Sequence, residues 1–287
     1  MRRSRRRRAT GVSAGERRGV GMCGIAGLHL KDDTYRHRLG AMIAGMLRGV
    51  AERGPDSAGV AIHSDGLEVL KAVGDPVAFA TRIGLAGRSG VRALAHTRMA
   101  TESAVTAAHC HPFAVRPPAP ACGARATIPA TPIGPASGAA TPIVPAAVPG
   151  LGATPVDTTL CLVHNGSFAN HATIRRRLAE AGVTTETDND SEVAAHYLAA
   201  RLAAGDDLAA ALRRLTATFD GFFTLAVTTA DSFAVVRDPI ACKPAIIAET
   251  DRWVAMVSEY RALLGLPGLA DAAVYEPEPE EVYLWAN

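Results

Sequence analysis

No run of this sequence approaches the roughly 20 consecutive apolar residues that a membrane-spanning helix requires, so a soluble globular chain with no membrane partner is expected. The arginine-rich start is not followed by the apolar stretch of a secretory signal, and the expected location is the cytoplasm. Cysteine pairing is missing too. Cys23, Cys110, Cys122, Cys161 and Cys242 are odd in number and form no CxxC pair, which argues against a disulfide framework and against a zinc site. That pattern fits a reducing compartment. No aromatic residue is interleaved with Arg2, Arg3 and Arg5 to Arg8, so this cluster lacks what a nucleic-acid arm would need, and no nucleic-acid partner is expected.

What is there is a chain of 287 residues, 48% hydrophobic and 20% charged, long enough for one large α/β domain or two small ones. The formal charge of +2 hides an asymmetry: residues 1–21 hold eight Arg and one Glu, leaving a mildly acidic body. Residues 1–22 therefore read as a basic leader or a start codon chosen too early. A second segment of distinct character interrupts the body at about 116–158. Ten of the 18 prolines fall between Pro117 and Pro155 among Ala, Gly and Thr, a composition that predicts a disordered surface insertion. The remainder alternates strand-like runs with helical ones. The strands are read at Gly24 to Leu30, Gly59 to Ser64, Val91 to Met99, Thr159 to Val163, Gly221 to Thr229, Ser232 to Arg237 and Trp253 to Ser258. Helical spacing links Leu39, Ile43, Met46, Leu47 and Val50, then Ile174 and Leu178, then Leu208, Leu212, Leu215 and Phe219; Ala194 to Ala203 reads as a further helix. This order predicts a layered α/β or α+β domain.

Five islands carry chemistry. In Met22-Cys23-Gly24-Ile25-Ala26-Gly27, cleavage after Met22 would give Cys23 a free α-amine able to accept the proton of its own thiol. Arg53-Gly54-Pro55-Asp56-Ser57-Ala58-Gly59 reads as a helix exit, a turn and a strand entry. In Ala95-His96-Thr97-Arg98-Met99-Ala100-Thr101 an apolar strand ends in Arg98, whose planar guanidinium matches the α-carboxylate of an amino acid. His164-Asn165-Gly166 places an amide beside a glycine, the parts of an oxyanion hole. Asp188-Asn189-Asp190-Ser191-Glu192 precedes a helix, where a carboxylate pairs with a substrate ammonium or caps the helix. Each island alone has an ordinary explanation: a buried thiol, a turn, a surface ion pair, a turn dipeptide, a helix cap. Together they are the parts of an amide-cleaving site.

In order and spacing, these islands resemble the class II glutamine amidotransferases, the N-terminal-nucleophile group. Phe219-Asp220-Gly221-Phe222-Phe223, Arg237-Asp238-Pro239 and Ser258-Glu259 extend the resemblance toward the carboxyl terminus. His96 to Thr101, His109 and His111, and Glu276 to Trp285 look most like the amidotransferase-like subunit of N-methylglutamate synthase. The resemblance implies an α+β fold, the four-layer αββα sandwich. It also implies a Cys23 nucleophile with its α-amine as base, and Asn165 and Gly166 as oxyanion hole. For the substrate, L-glutamine, it implies Arg98 as carboxylate binder, Asp190 as ammonium binder and Thr101 as part of the pocket.

The implied reaction passes through a γ-glutamyl thioester and needs no cofactor and no metal on this chain. Flavin and iron–sulfur groups are expected only on glutamate-synthase-like partner subunits, with which the chain would form a hetero-oligomer. Met99 stands where several relatives carry an aromatic residue, and the residues before Cys23 must be absent from the active protein. His109-Cys110-His111 crowds three ligand types into three positions, which cannot easily converge on one ion, and is read as loop. Two other readings compete: a stand-alone γ-glutamyl amide hydrolase and a non-catalytic glutamine-binding scaffold.

Overall fold

A computed structural model describes residues 22–99, 105–117 and 159–286. The proposed leader up to residue 21, Thr101, Cys122 and nearly all of the Pro/Ala-rich insertion lie outside the described residues.

The chain builds two antiparallel sheets. The first holds seven strands in the order β11-β9-β10-β1-β4-β2-β3. They are β1 (Gly24–Leu30), β2 (Ser57–His63), β3 (Leu67–Val73), β4 (Arg92–Arg98), β9 (Ile246–Glu249), β10 (Trp253–Val257) and β11 (Ala273–Tyr275). The second runs β12-β8-β7-β6-β5, with β5 (Phe113–Val115), β6 (Leu160–Phe168), β7 (Gly221–Thr228), β8 (Ser232–Arg237) and β12 (Val282–Ala286).

Alternation along the central strands decides what each face meets, because successive side chains point to opposite sides. In β1, Ala26, Leu28 and Leu30 join a core with α1 (Leu39–Val50) and Phe79 of α2 (Pro76–Arg82). Ile25 faces the other way, into a thinner core with Leu94, Val163, Phe233 and Met256 between the sheets. A third core lies beyond the second sheet, where α3 (His171–Glu180), α4 (Asp190–Ala203) and α5 (Leu208–Thr218) cover Leu162, Phe168, Leu225 and Val236. These are the four αββα layers that the resemblance implied.

Local sequence explains the helices. The apolar residues of α1, Leu39, Met42, Ile43, Met46, Leu47 and Val50, recur at helical spacing and are all buried, each stabilising the fold by about 1.5–3 kcal/mol through loss of apolar surface. Asp75 caps α2 by accepting from Ala78 N–H, with Pro76 in the first turn where its missing donor costs nothing. The close approach of the sheets needs Gly27, because a Cβ there would stand 2.8 Å from the Phe233 ring.

The strands and helices read from the sequence are present, two of their boundaries need correction, and β3 and α2 were not among them. The run that Asn165-Gly166 seemed to end as a turn continues to Phe168, paired with β7 through Gly166↔Phe223 and Ser167↔Phe222. Gly166 makes this continuation possible. Its φ is +139°, and an added Cβ would lie 1.9 Å from the Phe222 carbonyl oxygen. α4 also begins earlier than its apolar residues suggest, at Asp190, capped by Asn189, whose side chain accepts from Ser191 N–H.

Candidate active site

Antiparallel pairing brings the beginning of β1 beside the end of β4: Gly24 lies opposite Thr97. Cys23 therefore stands at the rim where Arg98 also emerges. Gly24 is required by this crowding, since a Cβ there would sit 2.7 Å from both Thr97 Oγ1 and Val50 Cβ.

Three side chains fix the backbone at the nucleophile. Asn165 Nδ2 donates to the Cys23 carbonyl oxygen at 2.9 Å and approaches Ser258 Oγ at 3.1 Å. Arg53 Nε donates to the same Cys23 oxygen at 3.0 Å, while its Nη1 pairs with Glu259 Oε1 at 3.1 Å. Ser258 closes the ring. Its Oγ accepts from Ile25 N–H at 2.9 Å, and its own N–H donates to the Ile25 oxygen at 3.0 Å. Asn165 Oδ1 is buried and has no hydrogen-bond partner among the described residues.

The half-buried Cys23 thiol lies 3.8 Å from the Met99 carbonyl oxygen. Burial pushes it above its ordinary range, and the Met99 backbone and the charges of Arg98, Lys243 and Arg53 oppose that rise. Of the other described cysteines, Cys161 is fully buried and pushed up to about 12 by desolvation, and Cys110 is buried against the Thr106 oxygen.

Asp190 opens α4 next to the end of β6. Its Oδ2 accepts from Phe168 N–H at 2.9 Å, and its Oδ1 accepts from Ser191 Oγ at 3.1 Å and lies 3.8 Å from His164 Nδ1. Part of the carboxylate remains open, with 22% of the side chain exposed. Behind this rim three imidazoles are buried. His96 Nε2 donates to the His164 carbonyl oxygen at 3.1 Å, joining the two sheets, and the His96 and His111 rings lie 4.1 Å apart. Burial holds all three of His96, His111 and His164 below their ordinary range, His96 at about 3, so they are neutral at pH 7.

The structure thus joins Asn165 to Cys23 directly and brings Arg98 to the same rim, where its charge acts on the thiol, with Gly166 next in the strand and Asp190 linked through Phe168 and His164. Thr101 lies outside the described residues. Sequence reasoning missed the contacts that Arg53 and Ser258 make around the nucleophile. It had noted the segments that carry Arg53 and Ser258, but their contacts with Cys23, Ile25 and Asn165 bridge up to 233 positions of chain, which no local pattern encodes. His111 is buried against His96 and Phe113, and His109 turns outward to Asp188 at 2.9 Å. Among the described residues no group of His, Cys, Asp and Glu has the arrangement of a metal site, and no helix is long and apolar enough to cross a membrane.

A family profile for the glutamine amidotransferase domain matches residues 152–265. The chain is 40% identical to the glutamine amidotransferase-like protein GlxB of Rhizobium meliloti, over 92% of this chain and 98% of that protein. It is 30% identical to the isomerizing glutamine–fructose-6-phosphate aminotransferase of Streptomyces coelicolor, over 85% of this chain but 32% of the larger enzyme. Glutamine phosphoribosylpyrophosphate amidotransferase from B. subtilis shares the fold at a TM-score of 0.67 and 18% identity, covering 92% of this chain and 47% of that one. A second solved structure, described as the allosteric regulatory enzyme of purine biosynthesis, matches at 0.69 and 19% identity, over 92% of this chain and 47% of its own.

Proposed function

The chain belongs to the class II glutamine amidotransferases, enzymes of the N-terminal-nucleophile hydrolase type, and from that premise we propose that it hydrolyses the side-chain amide of glutamine through Cys23. The observation that carries this reading is the convergence on Cys23: it immediately precedes a buried strand, its carbonyl is held by Asn165 and Arg53, and its sulfur lies in the field of Arg98.

In the proposed reaction residues 1–22 are absent. While Met22 is attached, the Cys23 nitrogen is an amide whose lone pair is delocalised and cannot serve as a base. The free α-amine takes the thiol proton, and the sulfur attacks the amide carbon. The negative charge moves to the carbonyl oxygen, which Asn165 and the backbone at Gly166 receive. Both Asn165 amide hydrogens are engaged in this structure, so the oxyanion takes the place of one of those partners. Collapse breaks the carbon–nitrogen bond, the α-ammonium returns its proton to the leaving nitrogen, and ammonia departs. Water then hydrolyses the thioester to glutamate. Arg98 binds the substrate carboxylate; Asp190 and Thr101 bind its ammonium and side.

The ammonia acceptor in this proposal is a separate glutamate-synthase-like assembly of the N-methylglutamate synthase type, whose subunits carry the flavin and iron–sulfur groups. The similarity to GlxB along 98% of its length supports this finer reading. Co-expression with such subunits, followed by size-exclusion chromatography and a glutaminase assay, tests it. A complex with raised glutaminase activity is expected. A fully active chain that binds none of them would point to a stand-alone γ-glutamyl amide hydrolase.

Arg98→Lys keeps the charge but loses the planar two-point contact, so KM for glutamine rises about tenfold, the worth of one charge-assisted hydrogen bond, with kcat changed much less. Steady-state kinetics measure both. An unchanged KM would remove Arg98 from the carboxylate site.

A further inference from the structure

The loop between β8 and β9 is built more firmly than a connection requires. Asp238 is fully buried; its Oδ1 accepts from Phe223 N–H at 2.7 Å and its Oδ2 from Ile240 N–H at 2.8 Å and Ala241 N–H at 3.2 Å. Ala241 is held at φ +49°, the left-handed region, which costs an alanine about 1 kcal/mol. Strain of this kind persists where the surroundings over-determine a conformation, and it gathers at functional sites.

The product of this construction is the placement of Lys243. Its carbonyl oxygen accepts from two buried donors, Thr224 Oγ1 at 3.1 Å and Arg237 Nη2 at 3.0 Å. Thr224 is the cross-strand neighbour of Asn165. The Lys243 ammonium lies 4.9 Å from the centre of the Phe222 ring, and Phe222 is the residue whose carbonyl presses against Gly166. Among the described residues no carboxylate forms an ion pair with it, whereas Arg53 is balanced by Glu259. The 30 basic residues of the chain are arginine except at Lys31, Lys71 and Lys243, so a compact point charge is rare here, and this one is held against the strand pair that carries Asn165, the side chain bonded to the Cys23 carbonyl.

We propose that Lys243 belongs to the reaction centre as a fixed cation that favours release of the first of the two titratable protons of Cys23. The inference rests on the reading of Cys23 as an amino-terminal nucleophile. A free Cys23 carries protons on both sulfur and α-amine, and the two titrate as a coupled pair. Whichever atom gives up the first proton, the residue becomes more negative by one charge, and a neighbouring cation favours that change. The groups that act on Cys23 are Arg98 from β4, Lys243 from this loop, and Arg53, with Glu259 behind it. His96 and His164 are neutral through burial, and Asp190 faces His164. Phe222 serves as the surface on which the ammonium rests, leaving the charge available to the site.

The test is the pH dependence of alkylation of Cys23 by iodoacetamide in the chain that begins at Cys23, read from the mass of the modified peptide. Lys243→Met keeps the stem over Phe222 and removes the charge. Its alkylation midpoint moves to higher pH by about half a unit to one unit, the effect of a unit charge in a partly solvated site, and the rate below the midpoint falls roughly three- to tenfold. Lys243→Arg stays near the wild-type midpoint. In the unmodified chain, added salt moves the midpoint upward by screening the same charge.

A midpoint that is the same in Lys243→Met as in the wild type overturns the inference, as does a shift of equal size in Lys243→Arg, which would make the effect one of packing. Alkylation needs no glutamine. A wild-type chain that fails to hydrolyse glutamine while showing the Met-specific shift would reject the proposed function and retain the role of Lys243. An active wild-type chain with no shift would do the reverse.

Discussion

Replacing Cys23 by alanine lowers glutamine hydrolysis by about 10⁴-fold or more, the order of loss found when an enzyme's nucleophile is removed, and prevents formation of a γ-glutamyl adduct. The fold survives this change, because among the described residues the half-buried Cys23 sulfur has one hydrogen-bond partner, the Met99 oxygen, and the hydrogen bonds from Asn165 and Arg53 go to its backbone oxygen. Alanine at Cys161 leaves hydrolysis intact, since that thiol is enclosed between the sheets and held neutral. Ammonia release measured beside circular dichroism separates loss of chemistry from loss of structure. Wild-type turnover by Cys23→Ala would end the assignment.

The largest structural effect belongs to Gly166→Ala. At φ +139° an alanine is strained by about 1–3 kcal/mol, and its Cβ would meet the Phe222 carbonyl oxygen at 1.9 Å, a contact that only a shift of the β6–β7 ladder relieves. Overpacking of this kind costs about 1–3 kcal/mol more. The expected outcome is a destabilisation of about 3 kcal/mol or more, a fall in Tm on the order of 10 °C, and an Asn165 displaced from Cys23. Gly45→Ala is the contrasting change. Gly45 sits on the exposed side of α1 with nothing within 4 Å of an added Cβ, so alanine there stabilises the helix by about 0.5–1 kcal/mol. Thermal unfolding of the two variants, with glutaminase assays, reads both effects; a Gly166→Ala protein as stable and active as the parent would show that the strand has slack at this point.

The contrast between those glycines marks what the sequence could convey. The long amphipathic helices and the buried central strands were legible, because each declares itself through a period of apolar residues within one window. The edge strands β5 and β11 were not: each is three residues long, with one buried position in β5 and none in β11. Asn165-Gly166 misled because the same dipeptide serves a turn or a strand that approaches its neighbour closely, and only the pairing with β7 decides between them. Cys23, Arg98 and Asn165 could be singled out by their chemistry and their order. The geometry that joins them comes from distant chain: Ser258 reaches Asn165 across 93 positions, and Arg53 meets Glu259 across 206. Lys243 was passed over for a similar reason, its setting being completed by Thr224 and Phe222 of β7 and not by its own loop alone.

Every step proposed for the reaction depends on Cys23 having a free α-amine. Intact-mass analysis of the fractions that release ammonia from glutamine, after treatment with a glutamine-site electrophile, tests this most directly. Activity is expected to follow the species beginning at Cys23, with the electrophile bound to that residue. Full activity in a species that quantitatively retains residues 1–22 would contradict it.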